Sequence, residues 1–254
     1  MLQQTQVARV LPRYHAFLAR FPDPATCAAS PLGRVIESWA GLGYNRRAVN
    51  LHRAARLVVD RYQGRLPANL DDLLALPGVG HYTARAVLAF AFEQPTGVVD
   101  TNAARVLARA VAGRRLTTRE AQTLADDQVP AGRAWAWNQA MLDLGAAVCT
   151  SRAPNCRGCP VRGSCRWRVA GYATTDPAAG SAGTSGRQST FAGSDRQGRG
   201  RLMDALRRGP VPLDRLAEAA GWSDAPGRAS RVAAGLVVDG LAVEAAGRLL
   251  LPIT

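Results

Sequence analysis

Apolar residues recur three and four positions apart through the first 148 residues, the period of helices packed on one side. Val7, Val10, Leu11, Tyr14, Phe17, Leu18 and Phe21 predict a first amphipathic helix. Ser30-Pro31 supplies an N-cap and a first-turn proline for a helix through Trp39, ended by Gly41 and Gly43. Arg46 to Tyr62 follows, with Leu51, Ala55, Val58 and Tyr62 inward. A short apolar helix over Leu70 to Leu76 leads into Pro77-Gly78-Val79-Gly80, and an alanine-rich helix runs from His81 to Phe92. Asp100 reads as the N-cap of a helix over Asn102 to Val111. Thr117 with Glu120 reads as a capping box for the next, to Asp127, and a last long helix spans Gly132 to Val148. No alternating strand pattern occurs before Cys149, so this part is expected to be all-α.

The pattern then changes. From Ala170 to Gly198, Ala, Gly, Ser and Thr dominate and nothing apolar repeats, which predicts a flexible linker. Beyond it Leu202 to Arg208, Leu213 to Ala220 and Gly227 to Asp239 read as three helices. Leu241 to Leu251 reads as a hairpin turning near Gly247, and the set suggests a small winged-helix-like module over 199–254. A plain helical tail is the competing reading.

The turn at Pro77-Gly78-Val79-Gly80 carries candidate chemistry. Both glycines can take positive φ and leave room for a close neighbour. Their N–H groups and the following helix N-terminus would form a donor patch suited to a phosphate, a way to hold a DNA backbone without reading bases. An ordinary helix–helix turn would look the same in isolation.

Charge strengthens the DNA reading. The net charge is +13, the pI about 10.9, and all 32 basic residues are arginine. Such an excess implies an anionic partner and points to nucleic acid. No run of apolar residues is long enough to span a bilayer and no signal peptide is visible, so a cytosolic protein without membrane association is expected. Cys149, Cys156, Cys159 and Cys165, spaced C-x6-C-x2-C-x5-C, then suggest metal rather than disulfides. One short knuckle with two longer arms suits a four-thiolate [4Fe-4S] cluster better than the paired knuckles of zinc, which stays the alternative. Arg152, Arg157, Arg162, Arg166 and Arg168 surround the cysteines; they can touch DNA phosphates or offset an anionic cluster. Cys27 stands alone and reads as structural.

Taken together, Leu76-Pro77-Gly78-Val79-Gly80 with Thr83-Ala84, Val99-Asp100-Thr101-Asn102 and the cysteine spacing resemble the helix-hairpin-helix DNA glycosylases of the endonuclease III superfamily. Leu2-Gln3-Gln4-Thr5-Gln6-Val7, Gly41-Leu42-Gly43-Tyr44 and Asn138 to Gly145 are similar to the adenine glycosylases of MutY type. The resemblance covers 1–168 and implies a glycosylase domain there, with its cluster loop at 149–165, followed by the linker 169–198 and the module 199–254. It implies removal of adenine mispaired with 8-oxoguanine or guanine in double-stranded DNA, by a monomer. A carboxylate must steady the oxocarbenium-like sugar while an acid protonates the purine, after the base has left the helix. Asp100 would be that carboxylate, and Asn102 would orient the site. Bifunctional relatives carry a lysine two residues after the second hairpin glycine; here Tyr82 stands there, and the chain contains no lysine, so a monofunctional enzyme is expected, with Tyr82 lining the pocket. Gln4, beside Thr5, would be the wedge that fills the gap left by the flipped base, and Tyr44 an intercalator from the opposite side.

Two departures matter. The family's acid, a glutamate two residues before the methionine of Met1-Leu2-Gln3-Gln4-Thr5, falls ahead of residue 1, so the chain as written is expected to act slowly and to expose apolar surface. The tail is also too short for the Nudix-like domain that senses 8-oxoguanine in many members, which leaves recognition of the opposite base open. A thymine or uracil mismatch glycosylase of the same fold, or a catalytically impaired DNA-binding chain, are the alternatives.

Overall fold

The structure, a computed structural model, describes every residue except 4, 173–174, 181, 183–189 and 253–254. The helices are α1 (Val7–Arg20), α2 (Pro24–Ala29), α3 (Leu32–Ser38), α4 (Arg46–Tyr62), α5 (Leu70–Leu74), α6 (His81–Ala91), α7 (Thr101–Val106), α8 (Thr118–Gln128), α9 (Ala134–Asp143), α10 (Arg166–Val169), α11 (Asp195–Arg208), α12 (Leu216–Ala220) and α13 (Pro226–Val238). Two of them widen into π-helical segments: α7 continues through Leu107–Ala112 and α9 through Leu144–Val148. Among the described residues no helix is long and apolar enough to cross a membrane.

The local signals explain most helix starts. Asp100 accepts the Ala103 N–H at 2.8 Å, and Thr117 and Glu120 close a reciprocal capping box. Helix α2 was not expected, although Asp23-Pro24 announces it: Asp23 accepts the Thr26 N–H at 2.7 Å and Pro24 takes the first turn. Ser30 does not cap α3; its hydroxyl donates back to the Thr26 carbonyl at 2.8 Å, and Pro31 sits at the cap without a side-chain bond.

The chain forms two compact units. The first gathers Met1–Pro67, Leu76–Gly78 and Ser189–Thr254; the second gathers Ala68–Ala75 and Val79–Gln188. These units do not follow the boundary expected at Arg199. In the first unit Val35, Ile36, Trp39 and Val49 share one buried core with Leu202, Met203, Leu206, Leu236 and Leu249. The apolar faces of α11 and α13 are therefore buried against α3 and α4 as well as against each other. Polar contacts reinforce this: Gly33 N–H donates to the Pro252 carbonyl at 2.9 Å, and Arg207 donates to Asn45 at 2.8 Å. A side chain at Gly33 would meet the Pro252 oxygen at 2.4 Å, so that helix approaches as closely as it does because it carries none.

Helix α11 begins at Asp195, inside the stretch expected as linker. After it come β1 (Val211–Pro212), a short 3-10 turn, α12, α13, and the hairpin β2 (Val243–Ala245) and β3 (Arg248–Leu250). The strands form one antiparallel sheet in the order β1-β3-β2, with Val211 opposite Leu249 and Glu244 opposite Leu249 on the other side. Helix α1 buries Val10 and Phe17, with Phe21 just beyond it, while Val7, Leu11, Tyr14 and Leu18 stay exposed; the apolar stripe is wider than the surface that covers it. The second unit has its own core of Ala104, Val106, Leu107, Leu116, Ala121 and Met141, which seats α7 against α8 and α9.

Candidate functional site

The turn between α5 and α6 has one positive-φ glycine, not two. Gly78 lies at φ +78, and a side chain there would meet the Asn50 Cβ at 2.7 Å. Gly80 is extended, at φ −99 and ψ 176, and open space surrounds the position a Cβ would take. Of the two glycines free to take positive φ, only Gly78 does so, and Gly80 precedes the helix in an extended conformation. No side chain caps α6, so the amides of its first turn keep the donor character of a helix start.

The segment leading to Asp100 is fixed from two sides. Buried Asn138 accepts the Val98 N–H at 2.7 Å and donates to the carbonyls of Thr96 and Ala134 at 2.9 and 2.8 Å. Asp126 accepts the Gly97 N–H at 2.8 Å and the Arg85 guanidinium at 2.7 Å. Neither residue was singled out for a role in the sequence, because a polar residue inside a helical pattern gives no sign that it faces the backbone of a neighbouring segment.

Asp100 then uses both carboxylate oxygens. Oδ1 takes the Ala103 N–H and Oδ2 takes the Asn102 amide at 2.8 Å, which leaves each oxygen further lone pairs. Asn102 is itself aligned by Arg105, whose guanidinium donates to Asn102 Oδ1 at 2.8 Å, to the Gly145 carbonyl at 2.7 Å and to the Cys149 carbonyl at 2.6 Å. Arg105 is buried, so these are charge-assisted bonds in a low-dielectric setting. Gly145 makes the approach possible, since a Cβ there would meet the Asn102 backbone oxygen at 2.6 Å. Tyr82 lies in the same unit, half-exposed; burial pushes its phenol above the usual value and the Asp100 charge adds to the shift, so the hydroxyl keeps its proton at neutral pH.

The four cysteines Cys149, Cys156, Cys159 and Cys165 line one pocket with Val106, Arg109, Val148 and Trp167. Arg109 is 2 % exposed, donates to Cys149 Sγ at 3.4 Å and to the Thr150 carbonyl at 2.7 Å, and lies 5.3 Å from the centre of the Trp167 ring. Among the described residues no three His, Cys, Asp or Glu side chains approach closely enough to hold a single metal ion. Arg152, Arg157, Arg162, Arg166 and Arg168 are all exposed around this pocket and form no ion pair with the described residues.

Of the remaining candidates, Thr5 and Tyr44 lie in the first unit, and Gln4 lies outside the described residues. Tyr44 is half-exposed and sits at φ +46, directly after Gly43 in a loop where Gly41 and Gly43 are also at positive φ. A side chain is rarely held in that conformation without support.

The all-helical second unit, with the glycine turn before α6 and Asp100 capping α7, fits the helix-hairpin-helix class of protein. The chain belongs to the HhH-GPD superfamily of base excision DNA repair proteins, whose family description matches residues 1–130. It is a DNA N-glycosylase. It is 41 % identical to an adenine DNA glycosylase of Mycolicibacterium smegmatis, over 99 % of this chain and 84 % of that protein. It is 43 % identical to the adenine DNA glycosylase of Homo sapiens, over 66 % of this chain and 32 % of that protein. Among solved structures, a thermostable thymine-DNA glycosylase superposes with a TM-score of 0.62 at 30 % identity, covering 66 % of this chain and 80 % of that one. A trapped endonuclease III–DNA covalent intermediate gives 0.57 at 28 % identity, covering 64 % and 78 %.

Proposed function

We propose that the protein removes adenine mispaired with 8-oxoguanine or guanine from double-stranded DNA, as a monomer and without a covalent lysine intermediate. The relatives named as adenine DNA glycosylases support the base; the single observation that carries the chemistry is Asp100 held by the Ala103 N–H and the Asn102 amide. In this reading the hairpin and the start of α6 take a phosphate of the target strand, and the exposed arginines of the cysteine loop, Arg152 among them, add backbone contacts. Thr5 and Tyr44 belong to loops that enter the duplex, with Gln4 as the wedge. Asp100 steadies positive charge on the sugar as the glycosidic bond lengthens, and Tyr82 lines the pocket as a neutral donor. Tyr82 has no amine to attack C1′, and no lysine exists elsewhere in the chain, which supports release of an intact abasic strand.

The cofactor belongs to the same proposal. The cysteines share one pocket, and a buried guanidinium touches one of them, a donor set that suits an anionic [4Fe-4S] cluster. Bound there, the cluster supplies a covalent tie for the loop. Residues 199–254 are read as a winged-helix-like module, supported by the order helix, strand, two helices and hairpin. A cytoplasmic location on chromosomal DNA fits these parts.

The likeness to a thymine-DNA glycosylase favours a second reading, removal of thymine or uracil opposite guanine. Single-turnover excision from A:8-oxoguanine, A:G, T:G and U:G duplexes, with Asp100→Asn alongside, separates the two. Adenine release that Asp100→Asn abolishes is expected; undiminished release by that variant, or release of thymine alone, overturns the proposal.

A further inference from the structure

We infer that Arg47 is a positioning residue that sets the spacing between the two loops entering the duplex. This rests on the glycosylase reading above. The guanidinium of Arg47, on the first turn of α4, donates to five acceptors on two loops. Nη1 reaches the Met1 carbonyl at 2.8 Å and the Gln3 carbonyl at 2.6 Å. Nη2 reaches the Thr5 hydroxyl at 2.9 Å and the carbonyls of Leu42 and Gly43 at 3.0 and 3.1 Å. The Thr5 hydroxyl also donates to the Leu42 carbonyl at 3.1 Å, so the two loops meet on the same group.

The geometry is specific to arginine. Two nitrogens in one rigid plane address two separate chain segments, whereas a lysine offers one nitrogen. The same plane lies 5.3 Å from the centre of the Trp39 ring and 5.8 Å from that of Tyr44. Tyr44 is half-exposed in the left-handed region, a conformation that Arg47 supports from both sides: through the Gly43 carbonyl and through the ring. The buried face of α4 is Ala48, Val49, His52, Ala54, Ala55 and Val58, and every acceptor of the Arg47 guanidinium lies outside the helix. The arginine therefore serves the loops. Held at a fixed separation, they present Tyr44 and the residues around Thr5 as a preformed jaw, so opening the duplex does not also require ordering the loops.

The test uses Arg47→Lys, with Thr5→Val as a milder variant that keeps the guanidinium. Hydrogen exchange of the free protein reads the coupling, through the Thr5 and Leu42 amides, each bonded within its own loop. Arg47→Lys is expected to speed exchange at both amides together by about tenfold, and Thr5→Val by less. Binding then reads the role. The preference for an A:8-oxoguanine duplex over an A:T duplex should fall about tenfold in Arg47→Lys, while affinity for the A:T duplex holds. Unchanged or independent exchange at the two amides overturns the inference, and so does an equal loss of affinity for both duplexes. Wild-type protein that shows no mispair preference removes the jaw's role along with the adenine reading, while the exchange result still decides the coupling.

Discussion

Asp176 holds the guanidinium of Arg109 with both carboxylate oxygens, at 2.8 Å to Nε and 2.6 Å to Nη2, across 67 positions of sequence. Asp176 falls in a stretch whose composition predicted a linker, yet it closes over the arginine that touches Cys149, and Ala178 beside it is buried. Arg109 also donates to the Ser151 carbonyl, so one buried cation ties the cysteine loop to a segment that follows it.

Breaking that pair is expected to cost stability. Asp176→Asn leaves a buried cation short of its counter-charge, which should lower unfolding free energy by about 2 kcal/mol once the partly exposed carboxylate edge is discounted. The hydrogen bonds from Arg109 hold the Asp176 carboxyl below the usual carboxylate range, against a smaller opposing push from burial. Its folded value being the lower one, the pair stabilises fully above the unfolded carboxylate value of about 4 and is lost as pH falls through the folded value. Urea midpoints at pH 7 and pH 3 check this: the gap between wild type and Asp176→Asn should shrink at the lower pH.

Asp100 caps α7, and the catalytic role proposed for it separates from that cap by substitution. Asparagine is as good a cap as aspartate, so Asp100→Asn should keep its thermal midpoint while single-turnover base release falls by at least about a hundredfold. Asp100→Ala should lose the same activity and about 1 kcal/mol of stability besides. Equal midpoints for the two variants would show that the cap contributes nothing.

Gly145→Ala forces the chain apart at Asn102, because the new methyl would lie 2.6 Å from the Asn102 oxygen. The strain should cost about 1–3 kcal/mol and turn Asn102 away from Asp100, lowering base release without changing affinity for undamaged duplex. Affinity and release falling in proportion would argue against the Arg105–Asn102–Asp100 alignment.

The hairpin glycines should behave differently from one another. Gly78→Ala meets both a left-handed backbone and the Asn50 side chain, so a loss of about 1–3 kcal/mol is expected in a thermal melt. Gly80→Ala has room and an ordinary φ, so its stability should stay within about 0.5 kcal/mol. A fall in duplex affinity for Gly80→Ala would then report a phosphate approaching that amide; unchanged affinity would place the phosphate elsewhere.

The sequence by itself determined the local decisions. Helix period, the caps at Asp100 and Thr117, the turn at Gly78 and the grouping of four cysteines depend on residues a few positions apart, where backbone geometry leaves few choices. The resemblance that named Asp100, Tyr82 and Asn102 drew on the same short motifs. Helix α2 was equally local, and Asp23-Pro24 would have announced it. Only the tertiary structure decided what Arg47, Arg105, Arg109, Asn138 and Asp176 do. In sequence, arginine is one of 32 and reads as surface charge. Burial turns it into a fixed fork of donors that also reaches acceptors far along the chain, 40 positions from Arg105 to Gly145 and 67 from Arg109 to Asp176. The C-terminal helices joined the core of α3 and α4 for the same reason: apolar faces bury against whatever the fold brings near, and one-dimensional spacing carries no record of that.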